Sequence, residues 1–91
     1  MRPAEPAGPA AGALERFAHD LRELRDRNER PTYRKLQQLT GYSRTTIASA
    51  FVGDRLPPWE LVRQLVHELG GDEDEWHRKW DLAYQQRKGR P

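Results

Sequence analysis

Apolar residues recur at helical spacing from the thirteenth or fourteenth position onward. Leu14, Phe17, Leu21 and Leu24 step by three or four residues, which puts them on one stripe of an amphipathic helix. The other face carries Glu15, Arg16, Asp20, Arg22, Glu23, Arg25, Asp26 and Arg27 with signs interspersed, as a solvated face with local ion pairing would. Pro31 ends this helix, because proline disfavours helical geometry at the residue before it, Arg30. Thr32 is placed to cap a second, short helix over Tyr33–Thr40, and Gly41 is the left-handed residue expected where that helix stops. Ser43 caps a third helix, Arg44–Val52, which Gly53 stops. Asp54–Pro57 reads as a loop, and Pro58 suits the first turn of a fourth helix. That helix runs to Leu69 with Leu61, Val62, Leu65 and Leu69 inward, and Gly70-Gly71 ends it. Asp72, with Glu75 three residues later, makes a capping-box-like start for a fifth helix to about Arg87. No segment alternates at the period of a strand. The prediction is an all-α fold of five helices.

Before the first stripe, Met1–Gly12 (MRPAEPAGPAAG) has almost nothing to bury. It is expected to be disordered or extended, because it cannot offset its ordering entropy. The organisation predicted is therefore a disordered segment over 1–12, one helical domain over 13–87 and a basic tail over 88–91. The 91 residues fit a single domain.

Charge changes the picture only locally. Sixteen basic and fourteen acidic residues leave a net +2. From Arg30 to Arg55, however, five bases (Arg30, Arg34, Lys35, Arg44, Arg55) face one acid, Asp54, a local +4. Local basicity is what one nucleic-acid-facing surface needs. The acidic run Asp72–Glu75 suits the positive end of a helix dipole and takes a structural reading. There are no cysteines, which excludes disulfides and thiolate metal sites. No apolar run approaches the roughly 20 residues of a membrane span, and the start of the chain lacks a secretory apolar stretch; the expected location is the cytoplasm. His19, His67 and His77 fall on three different helices, and His67-Glu68 has no second histidine at zinc-protease spacing. With no phosphate loop, nucleophile elbow or ligand cluster, neither an enzyme, a cofactor nor a small-molecule site is expected.

Two short helices joined by a glycine-started turn and flanked by longer apolar helices have a known use. The first crosses the DNA backbone and the second lies in the major groove. Gly41 supplies the turn. Leu36 on one side and Ile47 and Phe51 on the other are the apolar residues that would lock the pair. Arg44, Thr45, Ala48 and Ser49 are left facing outward, with Thr46 at the margin. All are small or hydrogen-bonding, as a groove-facing surface should be; a bulky apolar residue there would signal a protein interface instead.

The stretch TYRKLQQLTGYSRTTIASAFVGDRLPPWELVRQLVHELGGD resembles the Cro/lambda-repressor-like helix-turn-helix family, in the form common in actinobacterial regulators. There the helix-turn-helix is followed by a "GxRLPxW" segment and a tryptophan-bearing last helix. The resemblance runs from about Phe17 to Tyr84. It rests on Tyr33-Arg34, Leu36, Gly41-Tyr42-Ser43, Thr46-Ile47, Gly53 with Arg55-Leu56-Pro57, and Trp59-Glu60. Three positions depart from the pattern. Gln37 stands where a small residue is usual, Leu39 where a polar one is usual, and Pro58 where a Ser or Thr commonly caps the fourth helix. The resemblance implies a five-helix lambda-repressor-like domain that binds double-stranded DNA, as a homodimer or as a module of a larger parent protein. Carried over by position, it puts Arg44, Thr45 and Ser49 at base edges, where arginine to guanine is the commonest specific contact. It puts Tyr33, Arg34, Ser43, Thr46 and Arg55 at phosphates, near helix N-termini or in the loop after the recognition helix.

Trp76, Trp80 and Tyr84 recur every fourth residue of the fifth helix. Trp76 and Trp80 are expected to pack mainly as core against Leu14, Phe17 and Leu21, with Trp59 able to join them and Tyr84 left at the edge. The alternative is that this stripe is an interface, and that the chain is a protein-interaction or dimerisation module (an antitoxin or an adaptor) with the same fold.

Overall fold

A computed structural model describes residues 12–88. Five helices follow one another: α1 (Ala13–Arg27), α2 (Tyr33–Thr40), α3 (Arg44–Val52), α4 (Trp59–Glu68) and α5 (Glu73–Lys88). No strand occurs among the described residues. The expectations for Met1–Ala11 and for 89–91 lie outside them. Gly12, at the end of the segment expected to be unstructured, instead caps α1, and its N–H donates to Glu15 Oε1 at 3.2 Å. Lys88, placed in the tail by sequence, is the last residue of α5.

α1 is the spine. Ala13, Phe17, Ala18, Leu21 and Leu24 are buried, and the helix packs on α5 and on α3. Leu14 lies at the edge of that stripe, half-buried. The Ala13 N–H donates to Gln86 Oε1 at 2.6 Å, tying the start of α1 to the end of α5. Further along, Lys79 Nζ of α5 sits 2.9 Å from Asp20 Oδ2 of α1. The chain leaves α1 through an unusual turn. Asn28 donates its side-chain amide to Leu24 O at 2.8 Å, and Glu29 and Arg30 both have positive φ, 66° and 46°. Each costs on the order of 1–2 kcal/mol for a residue with a Cβ. The Arg30 N–H is nonetheless satisfied, donating to Arg25 O at 2.9 Å.

Pro58 sits one position earlier than its sequence placement. It is the N-cap of α4, with φ −62° and ψ 145°. Its carbonyl accepts from the Leu61 and Val62 N–H groups, and its ring brings no side-chain acceptor to the helix start. Leu61, Val62, Leu65 and Val66 are buried. Leu69, also buried, is the C-cap rather than the last helical residue.

The aromatic stripe divides. Trp76 is buried and meets Phe17 of α1 edge-on, with centroids 5.5 Å apart. Trp80 is half-buried and faces the start of α4 instead of α1. Its Nε1–H donates to Pro57 O at 2.8 Å, and its ring stacks on Tyr84 at 5.2 Å and lies 6.1 Å from Trp59. Four residues advance a helix by about 40° beyond a full turn. Because α5 lies against both α1 and α4, that drift carries the second indole from one neighbour to the other. Ala83, seven residues after Trp76, is also buried.

Candidate nucleic-acid interface

The second and third helices are short, so their ends decide whether they form. Thr32 caps α2 by accepting from the Lys35 N–H at 3.0 Å. Gly41 stops it with φ 81°, its N–H donating to Gln37 O at 2.8 Å. The turn is fastened from inside as well. Thr40 Oγ1 donates to Leu36 O at 2.9 Å and accepts from the Tyr42 N–H at 3.2 Å. Ser43 caps α3, accepting from the Thr46 N–H at 3.1 Å and donating to Thr46 Oγ1 at 2.9 Å. Gly53 closes α3 with φ 87°. A Cβ built there would lie 2.8 Å from that of Ala18, so glycine also admits close approach to α1.

Between the two helices, Leu36, Ile47, Ala50 and Phe51 are buried. Tyr33 stacks on Phe51 with centroids 5.7 Å apart and planes 22° apart. Gln37, which replaces the small residue of the family pattern, is exposed and points out of the contact. Leu39 is 41% exposed, as its unusual position suggested.

On the far side of α3, Arg44 and Thr45 are exposed, while Thr46, Ala48 and Ser49 are half-buried. Thr45, Thr46 and Ser49 line a cleft of about 480 Å³ with the loop Asp54–Pro58, which brings Arg55 to the same place. Four of the eight candidate contacts thus meet in one cleft. Arg44 stands at the first position of α3, and Tyr33 and Arg34 lie apart on the first turn of α2. The remaining candidate, Ser43, already spends both its donor and one acceptor on the cap. Among the described residues, Arg30 pairs with Asp26 at 3.4 Å, so its charge is partly offset. Arg34, Lys35, Arg44 and Arg55 make no ion pair there and point their charge at solvent.

Two features escaped the sequence reading. Val52 is 64% exposed. Seven residues after Thr45, it falls about 20° from it around α3, so the outward face ends on an apolar side chain. The second feature corrects the assignment of Arg22 and Arg25 to a solvated face. Both are half-buried. Arg22 Nη1 donates to Phe51 O, and Arg25 Nε donates to Pro31 O at 2.7 Å. The signal was available in the helical phase. Arg25 follows Leu21 by four residues, about 40° around α1, and so flanks the buried stripe.

An all-α domain that presents two capped short helices, joined by a glycine turn and braced from behind by longer ones, is a helix-turn-helix domain. The chain belongs to the helix-turn-helix domain family, whose profile matches residues 16–78, from the first turn of α1 into α5. The match is consistent with the Cro/lambda-repressor-like resemblance and gives no support to its narrower actinobacterial form. No curated protein and no solved structure matches the chain. Membership suggests DNA binding. No described helix is long and apolar enough to cross a membrane.

Proposed function

We propose that this domain binds double-stranded DNA sequence-specifically, as a transcriptional regulator or the DNA-binding module of one. The observation that carries the reading is the outward face of α3, polar at Arg44, Thr45 and Ser49 and lying beside a cleft that also holds Arg55. Arg44, Thr45 and Ser49 read base edges, the arginine by a fork to guanine and the threonine methyl by contact with a thymine methyl. Arg34 and Arg55 hold phosphates as free cations. Thr46 and Ser43 approach the backbone at the N-terminus of α3, where unpaired N–H groups favour anions. Tyr33 contributes at the start of α2. The domain acts in the cytoplasm, without catalysis or a cofactor, alone or as one half of a homodimer.

Selection from a random duplex pool tests this reading. Enrichment of one short motif supports it; recovery of an unenriched pool overturns it. Val52 favours a second reading, in which the face engages a protein. The two differ in salt dependence, since phosphate contacts release counterions and an apolar contact does not.

A further inference from the structure

We propose that Arg25, with Arg22 beside it, is a positioning residue for DNA recognition: it sets how α3 is presented by fastening α2 and α3 to α1. The proposal rests on the DNA-binding reading above. One guanidinium reaches three places at once. Its Nε donates to Pro31 O ahead of α2. Its carbon lies 4.7 Å from the ring centroid of Tyr33, the first residue of α2, and 5.6 Å from that of Phe51, in the last turn of α3. Those two rings stack on each other, so the cation lies against both and completes a three-membered cluster that joins the helix-turn-helix pair. A flat, delocalised guanidinium does this; an ammonium, a point charge on a flexible stem, cannot donate sideways and stack together.

Arg22 acts one turn earlier on α1. Its donation to Phe51 O satisfies a carbonyl that the end of α3 leaves without a helical partner, and a cation there complements the helix dipole. Among the described residues neither arginine is paired with a carboxylate, so their donors go to the backbone carbonyls that locate the two helices. Thr45 and Ser49 stand on the opposite face of the same helix. Side chains that read bases need placement within about 0.5 Å, and a helix of nine residues moves as one body. A small tilt at Phe51 therefore displaces the reading face.

The test is Arg25→Lys, which keeps the charge and removes the fork. The expected result is a folded protein with an unchanged salt slope whose preference for the selected duplex over a scrambled one falls about tenfold, comparable to losing one good base contact. The loss should come from the selected duplex alone. In the free protein, the backbone amide resonances of Thr45 and Ser49 should move, although neither residue touches Arg25. A preference within about twofold of the original, or shifts confined to Pro31, Tyr33 and Phe51, overturns the proposal. If Arg25→Lys does not fold, Arg22→Lys carries the same two readouts and decides it. If the original chain shows no preference for any duplex, the DNA reading falls, and the amide shifts still show whether Arg25 positions α3.

Discussion

Thr45 and Ile47 sit two residues apart on α3, about 200° around its axis, and one is exposed while the other is fully buried. Truncating Ile47 to alanine should destabilise the domain by about 2–5 kcal/mol, as removal of buried methylenes does. Thr45→Ala should stay within about 0.5 kcal/mol of the original in thermal melts, while weakening binding to the selected duplex. Unfolding by Thr45→Ala with tolerance of Ile47→Ala would show the phase of α3 to be misjudged. The arginines divide in a comparable way. Arg44 at the start of α3 should read a base, so Arg44→Ala costs about 1–3 kcal/mol at one base pair. Arg34 on α2 should hold a phosphate, so Arg34→Ala weakens every sequence alike. Equal losses on selected and scrambled duplex for Arg44→Ala would remove it from the reading set.

At the scale of elements, the two glycines that end α2 and α3 separate backbone strain from crowding. Gly41 has φ 81° and open space around it, whereas Gly53 has φ 87° and would carry its Cβ to 2.8 Å from that of Ala18. Gly41→Ala should cost about 1–2 kcal/mol for the left-handed conformation alone. Gly53→Ala should cost more, about 2–4 kcal/mol, because α1 and α3 must also part. Chemical denaturation of both variants checks the order; equal losses would mean that α1 and α3 separate without cost. All five helices were legible in the sequence because their starts and stops are local chemistry: Thr32 and Ser43 as caps, Gly41 and Gly53 as left-handed stops. The placements that the sequence left open depend on distant neighbours. Nothing near Trp80 announces that its indole will donate to Pro57 O, and nothing near Arg25 announces Tyr33 and Phe51 above it. Of the candidate site, the outward set on α3 followed from helical phase. That Arg55 returns to the same cleft depends on the path of the Asp54–Pro58 loop, which periodicity does not describe.

For the molecule as a whole, the divided aromatic stripe decides how far one copy is self-sufficient. Trp76 is buried against Phe17 within the chain, so Trp76→Ala should cost about 3–5 kcal/mol at any protein concentration. Trp80, half-buried, should cost less, about 1–3 kcal/mol. Melts across a hundredfold dilution check this, since stability drawn from a second copy falls with dilution by mass action. A midpoint that drops on dilution would make Trp59, Trp80 and Tyr84 a surface between copies. The central claim is that the free cations around α2 and α3 face DNA, and its most direct measurement is the affinity for a labelled duplex of selected sequence across a range of salt concentrations. With Arg34 and Arg55 on phosphates, log affinity should fall linearly against log salt with a slope of roughly −2. An affinity that stays flat as salt rises would contradict the account.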